Sequence, residues 1–283
     1  MNRLSGKVAV ITGGTRGFGL ALARAYAVEG AALVVGSRSL ESVERALEEL
    51  RSRGFRATGR AVEVSEYEQV KALSELALSE FGRLDIWVNN AGMAGPYGPT
   101  VDFEPGTFRQ IMNTNMLGVY YGSRVAMKHF LAQGAGKLIN LLGYGSRRPA
   151  PYQNAYGASK AWVRNFTLAL AQETQESGVG VYAFSPGMVI TEMLTRIEVI
   201  RGTEERLKRY PTVLQVLAKP PEAAVEKAIW LASSATDGKT GLVVQAGSRG
   251  GILRGAPREI FRVLTDKPVE EIEVEYRTVP PAD

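Results

Sequence analysis

A tyrosine and a lysine in the second half of the chain have the spacing of an acid–base pair. Tyr156 and Lys160 lie four positions apart, which on an α-helix places them one turn apart on the same face. Free tyrosine has a pKa of about 10 and is a poor proton-transfer group at neutral pH. A neighbouring ammonium favours the phenolate and lowers the pKa of the phenol toward the working range. The spacing predicts this chemistry, although two ordinary residues of an amphipathic helix can have the same spacing.

A glycine-rich turn near the start of the chain offers a phosphate site. Residues 12–19 read Thr-Gly-Gly-Thr-Arg-Gly-Phe-Gly, directly after one predicted strand and before a predicted helix. Glycines permit a tight turn and let backbone N–H groups approach a pyrophosphate at the helix N-terminus. This strand–turn–helix context is what a dinucleotide site requires. We therefore predict cofactor contacts from Gly13, Thr15, Arg16, Gly17, Phe18 and Gly19.

The charge around this turn favours one phosphorylation state of the cofactor. An NAD site usually has an acidic residue at the end of the second strand, where it bonds the ribose 2′-hydroxyl. Residues 34–39 contain no acid, and Arg38 stands there instead. Arg38 and Arg16 together offer guanidinium groups that match a 2′-phosphate. The sequence favours NADP(H) over NAD(H), unless both arginines are merely solvated surface charges.

Short apolar runs alternate with amphipathic helical patterns along the chain. Helical periodicity covers residues 20–28, 40–50 and 70–81, for example. The order predicts an α/β fold, with a parallel sheet covered by helices on both faces, in one domain of residues 1–247. The predicted strands are residues 8–11, 32–35, 58–64, 86–89, 137–142, 179–184 and 242–244.

Two segments depart from this alternation. Residues 190–218 contain a charged run at 201–209 after a strand end, a position that suits a mobile cover over a site. Residues 248–283 form a C-terminal extension, with a short predicted helix at 257–264 and an alternating stretch at 272–276. An extra edge strand, an arm for subunit contact and a frayed end all fit this extension.

The composition excludes several classes of site. The 283 residues contain no cysteine and one histidine, so we expect no disulfide, no thiolate site and no bound metal. No apolar run reaches about 18 residues, so no membrane-spanning helix is expected. The chain enters its first strand near residue 8, which leaves no room for a signal peptide and predicts a cytoplasmic location. The net charge of +5 is mild and scattered, and gives no reason to expect nucleic-acid binding.

Several ordered motifs between residues 5 and 247 resemble the short-chain dehydrogenase/reductase family. Besides the glycine turn and the Tyr156–Lys160 pair, they include Asn-Asn-Ala-Gly at 89–92, Asn115 in a helix, the Pro-Gly turn at 185–191 and Thr-Gly at 240–241. The resemblance implies a Rossmann-type doubly wound parallel sheet of about seven strands flanked by helices. It also implies a homodimer or homotetramer.

The resemblance implies a reaction as well, hydride transfer between a nicotinamide and a carbonyl or alcohol carbon. Tyr156 would donate its proton to the developing alkoxide. Lys160 would lower the pKa of Tyr156 and bind the nicotinamide ribose, and Asn115 would hold a water of the proton relay. The family's motifs imply further cofactor contacts from Glu63, Val64, Asn90, Ala91, Gly92, Pro186, Gly187, Val189 and Thr191.

One position departs from the family pattern. Relatives carry a serine about thirteen residues before the tyrosine, where it donates a hydrogen bond to the substrate oxygen, and this chain has Gly143. Losing one such donor typically raises the barrier by about 3 kcal/mol. Ser146 could supply the hydroxyl by a different loop path, Tyr144 or a backbone N–H could replace it, or the protein could be slow or inactive. We favour Ser146.

The predicted substrate pocket is apolar, and Gly143 widens it for a bulky or flat substrate. The Gly-x-Gly-Ser pattern at 143–146 is similar to that of the chlorophyll b reductase branch of the family, and it is too short to assign a substrate. The sequence predicts an NADPH-dependent reductase of a hydrophobic ketone or aldehyde; the alternative is a catalytically weak NADP(H)-binding sensor or assembly subunit. The predicted pocket residues are Met93, Tyr97, Gly143, Tyr144, Tyr152, Met188 and Met193.

Overall fold

A seven-stranded parallel sheet forms the centre of the protein. The computed structural model describes residues 2–246 and 272–282. Strands β1 to β9 of the described residues are Val8–Thr12, Ala32–Ser37, Ala57–Ala61, Ile86–Asn89, Gly136–Leu141, Val179–Ser185, Arg196–Ile200, Val243–Gln245 and Glu275–Val279. All except β7 and β9 belong to the central sheet, whose order is β3-β2-β1-β4-β5-β6-β8. Every neighbouring pair in it is parallel.

Helices cover this sheet on both faces. Helices α1 to α9 are Gly17–Val28, Leu40–Ser52, Tyr67–Phe81, Pro105–Met112, Gly118–Gln133, Asn154–Glu173, Glu192–Thr195, Tyr210–Leu217 and Glu222–Ala232. A single π-helical turn, Asn113–Leu117, joins α4 to α5. Within the described ranges, no helix combines the length and apolar character needed to cross a bilayer.

The core lies in two apolar layers, one on each side of the sheet. Tyr26 of α1 and Leu47 of α2 pack in one layer, and Leu73 of α3 and Phe130 of α5 pack in the other. Strands between two such layers bury both faces, which explains why their sequences are apolar throughout. The predicted doubly wound α/β fold in a single domain is therefore confirmed.

The third strand is shorter than the sequence predicted. It ends at Ala61, although the pattern favoured a strand through residue 64. Beyond it the Glu63 N–H donates to the Gln69 side-chain oxygen at 2.8 Å, which ties the chain to the start of α3. Val62 and Val64 remain buried, so their apolar character reflects core packing by a loop.

The C-terminal strand β9 forms a second, two-stranded sheet with β7. The two are parallel, in register from Arg196 opposite Glu275 to Ile200 opposite Val279. Tyr97 adds an isolated bridge on the other side of β7, opposite Val199. The extension thus contains a strand, but it pairs with the segment 190–218 and not with the central sheet. The helix predicted at 257–264 lies outside the described residues.

The strand order indicates where a ligand would bind, at the edge formed by the carboxyl ends of the strands. Chain connections leave in opposite directions from β1 and β4, and ligands of such sheets bind outside the carboxyl ends at this point. The segments that follow β1, β4, β5 and β6 at this edge are the glycine turn (residues 12–19), residues 90–93, the loop 142–153 and the Pro-Gly turn (residues 185–191).

Candidate active site

The glycine turn is shaped for a backbone approach that side chains would prevent. A Cβ built on Gly19 would lie 2.1 Å from the Gly13 carbonyl oxygen, so only glycine fits there. Arg16 is the N-cap residue of α1, and no side chain caps the free N–H groups of that helix. Uncapped N–H groups at a helix N-terminus bind anions such as a pyrophosphate. The turn therefore fits the predicted dinucleotide.

Asn90 fastens this turn to the end of β4. Its Nδ2 donates to the carbonyl oxygens of Thr12 and Gly13, both at 3.0 Å. The backbone N–H groups of Asn90 and Ala91 donate in return to Thr12 Oγ1, both at 3.1 Å. These four bonds explain the Asn-Asn-Ala-Gly motif as a clamp on the phosphate turn.

The two arginines predicted to select the cofactor differ in their surroundings. Arg38 is exposed and makes no ion pair with another described residue. Arg16 instead donates from Nη1 to Glu192 Oε2 at 2.6 Å. Glu192 opens the short helix α7, and nothing in its sequence spacing pointed to this pair. Thr191, the residue before Glu192, contacts the glycine turn as well, since a Cβ built on Gly17 would lie 3.2 Å from the Thr191 methyl carbon.

The remaining predicted cofactor residues lie at the same edge of the sheet, but the side chain of Phe18 points into the core. Phe18 is buried, and its ring centroid lies 6.0 Å from that of Phe184, so its side chain belongs to the core. Any contact of Phe18 with a cofactor must come from its backbone. The others are placed on loops after strands: Thr15 after β1, Glu63 and Val64 after β3, Gly92 after β4, and Pro186, Gly187 and Val189 after β6.

Tyr156 and Lys160 share one face of α6, as the spacing predicted. The Lys160 Nζ lies 5.7 Å from the centroid of the Tyr156 ring and donates to the Leu141 carbonyl oxygen at 3.0 Å. Lys160 is buried, with 4% of its surface exposed. The Tyr156 hydroxyl makes no hydrogen bond with a described residue, so it is available to a ligand.

The electrostatic expectation for this pair is wrong for the chain without cofactor. Burial raises the pKa of Tyr156 to about 12, whereas we expected Lys160 to lower it. Burial also lowers the pKa of Lys160 to about 8, because a buried ammonium loses its hydration. Desolvation is the cause of both shifts, and it makes Tyr156 a neutral phenol at neutral pH.

Asn115 connects the loop after β4 to the helix that carries Tyr156. It is fully buried in the π-helical turn. Its Nδ2 donates to the Met93 carbonyl oxygen at 3.0 Å and to Ser159 Oγ at 2.9 Å, and its Oδ1 accepts from the Met93 N–H at 2.9 Å. Ser159, which sequence reasoning missed inside the Tyr–Lys segment, donates in turn to the Tyr156 carbonyl oxygen at 2.7 Å.

Gly143 lies directly against the Tyr156 hydroxyl. A Cβ built on Gly143 would be 2.1 Å from Tyr156 Oη and 2.8 Å from Cζ. The phenol therefore occupies the space that a side chain at 143 would need. The Ser146 N–H donates to the Gly143 carbonyl oxygen at 3.2 Å, which closes a turn and brings Ser146 back toward Gly143. Neither the Ser146 hydroxyl nor the N–H groups of residues 143–145 donate to a described residue.

The predicted pocket residues separate into a packed group and an exposed group. The rings of Tyr97 and Tyr152 stack with centroids 5.5 Å apart, and the Arg206 guanidinium lies 4.4 Å from the Tyr152 ring. Tyr152, two residues before α6, has a φ of 64°, which is unusual for a bulky residue. Met93 and Met188 are half-buried at the crevice. Tyr144 and Met193 are 65% and 42% exposed, so their side chains face solvent.

Comparison with known proteins identifies the family. The family model described as short chain dehydrogenase matches residues 7–199. The chain belongs to the short-chain dehydrogenase family. This is a family of oxidoreductases, and the matched residues include the glycine turn, Tyr156 and Lys160.

Two short-chain dehydrogenase relatives illustrate the range of the family. A protein of Arabidopsis thaliana named a probable chlorophyll(ide) b reductase is 35% identical over 204 residues, which are 65% of this chain and 41% of the relative. This chain thus spans about two fifths of the length of that relative. The 3beta-hydroxysteroid dehydrogenase 1 of Eggerthella lenta is 35% identical over 243 residues, covering 84% of this chain and 91% of the relative.

Two solved structures of short-chain dehydrogenases superpose over most of the chain. A gluconate 5-dehydrogenase from Burkholderia cenocepacia, in complex with NADP and tartrate, has a TM-score of 0.77 at 30% identity, with 89% of this chain and 97% of that chain covered. A 3-ketoacyl-(acyl-carrier-protein) reductase from Brucella melitensis, complexed with NADH, has a TM-score of 0.76 at 32% identity, and the match covers 86% of this chain and 97% of that chain. Each of these two structures thus contains a nicotinamide dinucleotide.

Proposed function

We propose that the protein reduces the carbonyl group of a hydrophobic small molecule with NADPH as cofactor. The single observation that carries this proposal is the Tyr156 hydroxyl, which bonds to no described residue, on a ring beside the buried Lys160 and at the same sheet edge as the glycine turn. A proton donor, a cation and a dinucleotide cradle are the parts that carbonyl reduction needs.

The chain's own residues fit the cofactor in two places. The uncapped N-terminus of α1 and the glycine turn would hold the pyrophosphate, and Arg38 with Arg16 would hold a 2′-phosphate. Lys160 would bind the nicotinamide ribose, with Thr191 and Val189 beside the nicotinamide. When bound, NADPH supplies the hydride.

Tyr156 is the proposed proton donor. Because burial raises the pKa of Tyr156 to about 12, the phenol carries its proton throughout the neutral range. An alkoxide is a stronger base than a phenolate, so proton transfer from Tyr156 to a developing alkoxide is downhill. Lys160, whose pKa of about 8 leaves it mostly protonated at neutral pH, would stabilise the phenolate that remains.

The substrate oxygen needs a second donor, since Gly143 has no hydroxyl. We assign this role to Ser146, supported by the turn that brings Ser146 toward Gly143 and by its hydroxyl, which donates to no described residue. The N–H groups of residues 143–145, which have no acceptor among the described residues, are the other source. Replacing Ser146 with alanine should lower kcat about a hundredfold if its hydroxyl is the donor. An unchanged kcat would assign the role to the backbone.

The surroundings of the site suggest how the substrate is covered. We propose residues 1–247 as the catalytic domain, residues 190–218 as its lid segment and residues 248–283 as a C-terminal extension. The extension would stabilise the lid segment, because β9 pairs with β7 inside it.

Met93, Met188 and the stacked Tyr97 and Tyr152 would form the apolar wall of the substrate site. The hydroxysteroid and chlorophyll(ide) substrates in the relatives' names agree with a flat hydrophobic compound. A homodimer or homotetramer is proposed from the family.

The test is turnover of a panel of hydrophobic ketones and aldehydes with NADPH. Wild type should oxidise NADPH, and Tyr156→Phe should lose at least about a hundredfold in kcat while binding NADPH normally. Phenylalanine fills the same space without the hydroxyl, so a loss reports the proton. Binding of NADPH measured by its fluorescence separates a chemical defect from a defect in binding.

One observation favours a second function, a cofactor-binding sensor or assembly subunit with weak catalysis. Gly143 replaces the usual donor, and the Tyr156 hydroxyl packs against it. If wild type and Tyr156→Phe are equally inactive on the whole panel while both bind NADPH, the reductase proposal is refuted and this second function stands.

A further inference from the structure

The first residues of the lid segment (residues 190–218) contact the glycine turn (residues 12–19). Thr191 lies over Gly17, and Glu192 accepts a hydrogen bond from Arg16 at 2.6 Å. Arg16 is the N-cap residue of α1, and its guanidinium is one of the two proposed to hold the 2′-phosphate. A carboxylate of the protein is thus bound to a guanidinium that an anionic cofactor would also attract.

The carboxylate of Glu192 belongs to a row of alternating charges. Its Oε1 lies 3.4 Å from Arg196 Nη1, and Arg196 Nε lies 3.2 Å from Glu275 Oε2 on β9. The row links the glycine turn, the lid segment and the C-terminal strand. Arg16 and Glu192 are 73% and 52% exposed on their side chains, and exposed pairs of this kind are weak. A ligand with a stronger charge can therefore replace Glu192 at Arg16.

We propose that Glu192 is a specificity-determining residue for the cofactor, because it competes with a 2′-phosphate for Arg16. This inference rests on the proposed NADPH function. A phosphate carries more charge than a carboxylate. Glu192 accepts a single hydrogen bond from Arg16, whereas a phosphate can accept two parallel ones, so NADPH can displace Glu192. NADH has no 2′-phosphate and leaves the Arg16–Glu192 pair intact. Binding of NADPH then also frees the start of the lid segment from the glycine turn.

Removing the negative charge of Glu192 tests the competition. The dissociation constants of NADPH and NADH are measured by cofactor fluorescence on wild type and Glu192→Gln. We expect NADPH to bind about two- to fivefold more tightly to Glu192→Gln, since the competing pair is an exposed one. NADH should bind equally to both proteins. Raising the salt concentration should reduce the NADPH gain.

A double-mutant cycle and a matched control separate competition from general charge effects. Arg16→Gln should weaken NADPH binding, and Glu192→Gln should add no gain in that background. The control is Glu205→Gln, which removes another exposed carboxylate of the lid segment, one that pairs with Lys208. This control should leave the NADPH dissociation constant unchanged.

Three results would overturn the inference while the NADPH proposal stands. The first is that Glu192→Gln binds NADPH no more tightly than wild type. The second is an equal gain in NADH affinity, and the third is an equal gain in NADPH affinity when Glu192→Gln is made in the Arg16→Gln background or when Glu205→Gln is made instead. If wild type does not bind NADPH and Glu192→Gln does not restore binding, the proposed cofactor and this inference both fail. A gain confined to NADPH and dependent on Arg16 supports the inference.

Discussion

Replacing Gly143 with alanine tests how closely the proposed proton donor is packed. The new Cβ would lie 2.1 Å from Tyr156 Oη, whereas ordinary contact begins at 3.4 Å, so the hydroxyl must move by about 1.3 Å. A displacement of about 1 Å of a reacting group can cost a hundredfold in rate. We therefore expect kcat to fall about a hundredfold or more in Gly143→Ala, with the NADPH dissociation constant nearly unchanged.

The same overlap has a cost in stability that can be measured without a substrate. Inserting a methyl group into a packed site typically lowers the free energy of unfolding by about 1–3 kcal/mol. In a Tyr156→Phe background the closest atom is removed and the next lies at 2.8 Å, so Gly143→Ala should cost less there. Urea denaturation of the four proteins of this cycle gives the coupling between the two sites.

The outcome also decides a question that the sequence left open. Restoring a serine at 143 would add the family's usual donor, but its Cβ meets the same overlap, so we expect Gly143→Ser to lose activity too. Full activity and unchanged stability in Gly143→Ala would show that the phenol does not rest on Gly143, and the reasoning from this contact would be refuted.

Three further perturbations follow from the structure. In the cofactor-free protein, the lowered pKa of Lys160 destabilises the fold below pH 8, and this cost is relieved as pH rises from about 8 to 10.5. The difference in free energy of unfolding between wild type and Lys160→Met, measured by urea denaturation, should therefore change by up to about 3 kcal/mol over this pH range. A difference that does not change with pH would contradict the argument from burial. Arg38→Gln should weaken NADPH by roughly ten- to a hundredfold in fluorescence titration while leaving NADH unchanged, and equal loss of both would remove Arg38 from the 2′-phosphate site. Deleting residues 272–283 removes the partner of β7, so trypsin should cleave after Arg201 about tenfold faster; an unchanged cleavage rate would show that β9 does not stabilise the lid segment.

Motifs that are local in sequence were the most predictable part of this protein. The glycine turn, the Tyr156–Lys160 spacing and the alternation of strands and helices depend on residues within one or two turns of each other. For this reason the doubly wound sheet could be predicted, and candidate site residues could be named on its loops and on one helix. The bounds of β3 could not, because Val62 and Val64 are apolar for packing and not for strand pairing.

Contacts between distant segments were decided only by the tertiary structure. Arg16 meets Glu192 across 176 positions, and β9 pairs with β7 rather than with the central sheet. No periodicity relates such segments, since their meeting depends on how the whole sheet places its loops. The extension was therefore open between several alternatives until its strand partner was known.

The sequence by itself determined the chemistry that this protein can carry: a tyrosine and a lysine on one helical face, a glycine turn for a dinucleotide, and no hydroxyl at Gly143. Only the tertiary structure decided the state of those groups. Packing brings Gly143 against the Tyr156 hydroxyl, and burial raises the pKa of Tyr156 to about 12 where spacing predicted a lower value. The physical reason is that desolvation depends on everything packed around a group, which the spacing of two residues does not contain.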